Sequence, residues 1–553
     1  MPDTSGLLSQ FYVKIDGQNA SEEFMHDLVE IRVESSLHLP DIATLMIHDA
    51  KLHWIDQSSL APGKTIEISA KAGQGDRPLF DGEIVELEPE FGPSIPNVVV
   101  RAFDRLHRLS HGRCVRSYLN VTDEDLVRKV AQEVGLQVKM EPTSEVHPYV
   151  LQNNQTNLEF LRGRAAMLGY ALFVTKKTLY CEPPRAAGQP PKLEWGATLS
   201  TFQPRMTTVE QVDDVIVRGW DPVAKQEIVG RAQRGNGVPR IGEKKSGGEV
   251  AHGAYNLPAQ HLVTDQPIRN QATADRLAQA VADRTAGRFV EAEGSCGGNP
   301  AIIAGTSIEI SAVGDRFSGT YLVTSAVHLF SAATGYSTQF SVSGHHPATL
   351  LSLLAPEQED TPIMGLLIGI VTDNQDPEEQ GRVKVKYPAL SGEHASTWAR
   401  VVVPGGGPER GIEFLPEVND EVLVGFEQGD VHYPYVLGGL WNGQDAPPKK
   451  SGQVISGGRV EKRIIRSRTG HMITLDDSDG GGGITIEDKN GNKIVLDTGS
   501  NALNIEINGN VSVKAKGNLT LEAQGQIAIK GLGVKVDGGP ATVDVKGSLV
   551  NLN

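Results

Sequence analysis

The stretch Ile494-Val-Leu-Asp497-Thr498-Gly499-Ser500 has the pattern in which aspartic proteases present a catalytic carboxylate. That chemistry needs two aspartates sharing one proton across a symmetric site. No second Asp-Thr-Gly occurs and a repeat fills most of the chain beyond Ser500, so the stretch reads as a strand ending in a turn. Asp476-Asp-Ser-Asp479, followed by four glycines, offers clustered carboxylates of the kind that bind calcium. An EF-hand would need a Glu at the twelfth loop position between helices, and calcium β-roll repeats would need a recurring Asp; an acidic turn is the simpler reading. His107, His111 and Cys114 would approach one another if 106–110 were helical, and zinc accepts such ligands, yet no fourth ligand is evident. They read as a strand-to-helix corner with surface histidines, and His345-His346 as the wet end of a barrel strand. No Gly-x-Ser-x-Gly nucleophile turn presents itself. The expectation is a chain with no catalytic, cofactor or metal site.

Composition narrows the class. With 553 residues, 39% hydrophobic content and 61 glycines, the chain holds several β-rich domains. A formal charge of −16 argues against nucleic acid, whose phosphates are bound by clustered Lys and Arg. Three widely spaced cysteines, Cys114, Cys181 and Cys296, make a disulfide framework improbable and point to synthesis in a reducing compartment, with the thiols acting as small buried hydrophobes. The N-terminus lacks a basic region followed by an apolar one, and no run approaches the roughly 18 apolar residues needed to cross a bilayer. The expectation is a protein made in the cytoplasm that leaves the cell, if it does, without a signal peptide.

Short alternating runs such as 11–15, 65–69 and 97–102, separated by Gly and Pro turns, read as a β-barrel in the first 110 residues. A helix is expected over about 123–134, with Thr122 as N-cap, Asp125 three residues on, and Gly135 as its stop. Further helices are expected at about 156–167, ended by Gly169, and about 270–285. The Gly-, Lys- and Arg-rich stretch 229–252 reads as an exposed loop or insertion, and Pro347 to Pro362 as a linker. Five strands, at 366–371, 382–387, 399–403, 421–426 and 435–437, suit a small OB-type barrel. Residues 445–461 read as a connector.

The tail is periodic. Gly509, Gly517, Gly525 and Gly533 stand eight apart, and Ile505, Ile507, Val511, Val513, Leu519, Leu521, Ile527 and Ile529 share one parity against Ser512, Lys514, Lys516, Thr520, Glu522 and Lys530. That is a strand with a dry and a wet face, and a short repeating unit of this kind must pack against copies of itself. Glycine corners let the strand turn where a side chain would clash. The parity changes after Gly531, where Leu532, Val534 and Val536 continue the dry face, and returns after Pro540 with Val543, Val545 and Leu549; irregularities are expected at 531–533 and 538–541, because a one-residue slip flips every side chain.

Larger stretches carry a family. GIVTDNQDPEEQGRVKVKYPA (369–389), WARVVVPGGGPERGIEFLPEVNDEVLVGFEQGD (398–430) and YVLGGLWNG (435–443) resemble the OB domain of VgrG spike proteins and contractile phage tail needles. QTNLEFLRGRAAMLGYALFV (155–174), GSCGGNPAIIAGTSIEI (294–310) and FSGTYLVTSAVHLF (317–330) resemble phage hub proteins, and RSRTGHMITLDD (466–477) the start of a spike. The resemblance implies a mainly β protein: a hub-like double-barrel domain with a few helices over 1–360, an OB-fold domain over 361–445, and over 446–553 a connector and a triple-stranded β-helix needle formed by a homotrimer. It implies a structural, non-enzymatic spike at the baseplate centre that seats on the inner tube, carries a PAAR-type tip protein on Leu549, Val550, Asn551, Leu552 and Asn553, and punctures the target membrane transiently, with effector cargo as a further possible partner. No segment is left over for a toxin domain, which resembles the spike of extracellular contractile injection systems more than an effector-bearing type VI VgrG; a type VI spike, or one with intrinsic toxin or hydrolase activity, is the alternative.

Overall fold

A computed structural model describes residues 11–551 apart from 38, 73–74, 94, 184–188, 237–238, 332, 344–364 and 391–394. The Pro347–Pro362 linker, His345, His346, Leu552 and Asn553 lie outside the described residues. The chain forms two compact units, Met1–Leu440 and Trp441–Asn553.

The three expected helices form where their local signals put them. Asp123–Glu133 starts at Thr122, whose hydroxyl accepts the Asp125 N–H while the Asp125 carboxylate accepts that of Thr122. This reciprocal cap satisfies donors that the first turn cannot. Asn157–Leu168 is capped in the same way by Thr156 and Glu159, and ends at Gly169 with φ +71°. Gln271–Gly287 follows Asn270, whose side chain accepts the Thr273 N–H.

The stretch 229–252 is not a loop. It completes the strand Gln226–Ala232 and, after the short strand Arg240–Ile241, begins the helix Gly247–Tyr255. Ser246 and Glu249 form another capping box there. Gly247 and Gly248 stand at the helix start because nothing larger fits: a Cβ on Gly248 would lie 2.2 Å from the Val212 carbonyl oxygen.

The early strands do not close on themselves within 110 residues. They join an 11-stranded sheet in which Leu28–Ser36 pairs with Ser325–Ser331, placing Ile31 opposite Phe330. One core lies under the strands between Phe11 and Phe103 and takes in Phe330. A second lies between the 199–342 strands and the four-stranded sheet that contains Lys192–Glu194 and Ser307–Ser311. Two α/β insertions hang from this frame. In residues 114–182, two helices pack on the strands; in residues 214–287, Gln271–Gly287 covers a three-stranded sheet.

The five OB strands pair in the order Lys384–Lys386, Leu367–Asp373, Glu421–Phe426, Pro434–Gly439, Arg400–Val401. Their core, including Val371, Val385, Val422 and Val436, also contains Tyr149 and Leu151 of the first insertion.

In the second unit, the hairpin Ile455–Ser456 and Arg459–Val460 precedes a five-stranded antiparallel meander, Lys462–Arg466, Met472–Asp476, Gly483–Glu487, Lys493–Asp497 and Ala502–Glu506. Ile505 therefore belongs to this sheet, opposite Ile494, and not to the octads. Beyond it the chain runs extended, bending at 508–509, 516–517, 524–525, 532, 539–541 and 548.

Candidate assembly surface

The meander has one apolar face, set by its register. Ile465, Ile473, Ile486, Ile494 and Ile505 stand opposite one another across all five strands. Leu475, Ile484, Leu496 and Leu503 form the next row. Directly opposed side chains of this kind make a continuous surface. Among the described residues of this unit nothing covers it, and all nine are 40–58% exposed. The opposite face holds Lys462, Thr474, Thr485, Glu487 and Lys493, with ion pairs Lys462–Asp476 and Lys493–Glu487 along its rim.

The tail continues this exposure. Ile507, Val511, Val513, Leu519, Leu521, Ile527, Ile529, Val534, Val536, Val543 and Val545 are all exposed, from 38% to 72%. Added Cβ atoms at Gly509, Gly517, Gly525 and Gly533 would meet nothing within 4 Å in the single chain. Leu549 and Val550 are exposed at 76% and 47%. Apolar patches on this scale mark surfaces awaiting a partner.

The residues with catalytic patterns are engaged locally. Asp497 ends its strand and accepts the N–H groups of Gly499 and Ser500, at 2.9 and 3.1 Å. The Ser500 side chain first, and then these N–H groups, hold its carboxyl below the usual range, the opposite of a proton-sharing dyad. Asp476 accepts both the N–H and the hydroxyl of Ser478 and pairs with Lys462, in the acidic turn read from sequence. His107 and His111 do come together, ring centroids 5.7 Å apart, on the 3-10 turn Arg105–Ser110 and its end. Cys114 opens the next strand opposite Gln155, and no cluster of three metal-ligating side chains forms among the described residues. Cys181 and Cys296 are buried, while Cys114 is partly exposed.

Sequence reasoning missed the meander face. Its signal was present: Ile465, Ile473, Leu475, Ile484, Ile486, Ile494 and Leu496 alternate with polar residues around the turns at Gly470, Gly480 and Gly491.

Residues 5–331 match the model described as the Alg8 N-terminal domain, and residues 367–441 that of the type VI secretion system/phage-baseplate injector OB domain. Among curated proteins, the actin cross-linking toxin VgrG1 of Vibrio cholerae is 30% identical over 122 residues, 21% of this chain and 11% of that protein. The type VI secretion system spike protein VgrG5 of Pseudomonas aeruginosa is 30% identical over 126 residues, 22% of this chain and 14% of that protein. The chain thus spans only about a tenth of the length of these relatives. Among solved structures, the Escherichia coli c3393 protein, described as a type VI secretion component structurally similar to T4 tail proteins gp27 and gp5, is 14% identical and covers 77% of this chain and 99% of its own, with a TM-score of 0.51. A chain of the Francisella PdpA–VgrG complex is 9% identical, covering 90% of this chain and 80% of its own, with a TM-score of 0.55. At these identities the likeness concerns the fold. Among the described residues no helix is long and apolar enough to cross a membrane. Matched over more than half of its length by the Alg8 N-terminal domain, with the injector OB domain after it and about a fifth of its length similar to VgrG spike proteins, the chain belongs to the Alg8 N-terminal domain family.

Proposed function

We propose that the chain is the structural spike of a contractile, phage-tail-like injection system and works as a homotrimer. Its hub seats on the inner tube, its OB domain follows, and residues 462–553 from three copies make the needle. The apolar meander face carries this reading. Nine exposed Ile and Leu side chains in register, continued by an octad strand with one apolar parity, are the surface expected of a protomer whose core is completed by identical neighbours.

A needle of this kind bears axial load. Burying one of these side chains contributes about 1.5–3 kcal/mol, so the octad pairs from Val511 to Ile529 in three copies contribute roughly 25–55 kcal/mol before chain entropy is subtracted. Lys514, Lys516, Glu522 and Lys530 keep the outside wet and discourage edge-to-edge aggregation. A PAAR-type tip protein seats on Leu549 to Asn553, baseplate proteins surround the hub, and the target membrane is met only during puncture. We infer a non-enzymatic role in a particle deployed outside the cell.

The test is the molar mass of the purified full-length protein in solution. A trimer is expected, and a monomer at micromolar concentration sinks the proposal. Any protease or peptidoglycan hydrolase activity that Asp497→Ala abolishes would replace the non-enzymatic reading.

A further inference from the structure

Residues 427–435 of the OB barrel meet both insertions. Glu427 pairs with Arg269, and the Tyr435 hydroxyl donates to Glu427 Oε2 at 2.5 Å. Gln428 Nε2 donates to the Thr264 carbonyl at 2.5 Å, and the Arg269 guanidinium lies 4.7 Å over the Tyr433 ring. At the centre stands His432, its side chain 25% exposed. Its Nδ1 lies 2.5 Å from Asp430 Oδ1, and its Nε2 faces the backbone N–H of Leu151 at 3.3 Å. Tyr149 stacks edge-on against the same imidazole, centroids 6.0 Å apart, and both Tyr149 and Leu151 are part of the OB core.

A backbone N–H can only donate, so Nε2 must accept and carry no proton. The arrangement is satisfied by one form of His432: neutral, with its proton on Nδ1 toward Asp430. Burial alone would raise the Asp430 carboxyl, but its hydrogen bond with His432 holds it low, so it stays ionised. Asp430 and His432 lie on the same loop, so their contact persists whether or not the barrel is docked. The contact that docking adds is the one at Nε2.

We propose that the joint between the OB barrel and the hub insertion is a proton-sensitive dock, in which His432 must be neutral to receive the Leu151 N–H and acid therefore loosens the barrel. The sign comes from linkage: docking selects the unprotonated imidazole, and lowering the pH favours the undocked state that binds the proton. The other charged groups about the joint are Arg164, which acts on Asp430, with Asp123 and His147 in contact with Arg164, and Arg276 paired with Glu145. A second imidazole, His147, lies near the joint with Nε2 at 2.9 Å from Asp123 Oδ2 and 2.8 Å from Arg164 Nη2, so the test must separate the two histidines.

The full-length protein with a specific protease site placed between Pro347 and Pro362 is cleaved, and the two pieces are followed by size-exclusion chromatography, with cleavage verified on a denaturing gel. They are expected to co-elute at about pH 7.5 and to separate at about pH 5, since one proton coupled to undocking weakens docking by up to about tenfold for each pH unit of acidification. His432→Gln, whose side-chain oxygen accepts the Leu151 N–H at any pH, co-elutes at both. Co-elution of the parent protein at both pH values, or separation at both, overturns the proposal. Separation of the His432→Gln protein at about pH 5 overturns it as well, by assigning the titration to another group.

Discussion

Ile486 lies at the centre of the uncovered face, between Ile473 on one neighbouring strand and Ile494 on the other. It is 47% exposed in the single chain, so about half of its burial is still to be gained. Complete burial of such a side chain contributes about 1.5–3 kcal/mol, which leaves about 0.8–1.5 kcal/mol per copy and about 2–5 kcal/mol for a trimer. Ile486→Ala should therefore weaken assembly by about that much while leaving the fold of a lone chain almost unaffected. Ile486→Lys adds the desolvation of three charges at one level of the axis and should prevent closure of the needle. Light scattering after size exclusion, at several concentrations, gives the mass, and thermal denaturation gives the stability. Thr485→Lys, one residue away on the opposite face, is the control and should remain assembled. If Ile486→Lys keeps the mass and melting profile of the parent protein, the apolar face is not the assembly surface and the reasoning fails.

Two further outcomes concern the hub. Gly248→Ala should destabilise it by about 1–3 kcal/mol, read as a lower melting temperature, because its Cβ would lie 2.2 Å from the Val212 oxygen; helix propensity alone favours alanine by about 1 kcal/mol, so the sign separates the two effects. Asp41 and Asp104 form a carboxylate pair, with the Asp41 N–H donating to Asp104 Oδ2 at 3.1 Å; burial first, and then the Asp104 charge, raises the Asp41 carboxyl, and burial pushes Asp104 up to about 7. Carboxyls raised in the folded state bind protons that the unfolded chain releases, so this pair should make the hub lose stability as pH rises from about 4, the ordinary carboxylate range, to about 7. Asp41→Asn, which keeps an oxygen for the Ser36 N–H, should flatten that dependence in melting curves taken across the range.

What could be read from the sequence was whatever is decided within a few residues. Thr122 with Asp125 and Thr156 with Glu159 are caps whose partners lie three positions away, and Gly169 ends its helix by its own conformation. Strand-like runs of the OB domain such as 382–387 were legible for a related reason, since the alternation lies within the run itself. The barrel expected within 110 residues failed because closure is non-local: Ile31 pairs with Phe330, and nothing near either residue announces the other. The helix after Ser246 was hidden by its glycines, which weaken helix propensity but are required by the approach of the Val212 carbonyl. The role of His432 was invisible for both reasons, since its imidazole meets a backbone group 281 positions away.

The needle shows the same division, and it revises the reading of the parity changes. Through the tail the apolar pairs are Val511/Val513, Leu519/Leu521, Ile527/Ile529, Val534/Val536 and Val543/Val545, and the bends before them end at 509, 517, 525, 532 and 541. Each pair stands two and four residues beyond its bend. The parity changes because one repeat is a residue short and the next a residue long, and the bends absorb both; Leu532, fully exposed, is the bend residue and not a core position. In the proposed trimer the core then has no slip, and the last bend, at 548, sets Val550 inward and Leu549 outside. Val550→Asp should therefore loosen the last repeat, seen as faster amide exchange there, whereas Leu549→Asp should leave exchange unchanged. The reverse pattern would mean that parity counted along the sequence, and not phase counted from the bends, decides which side chains face the axis.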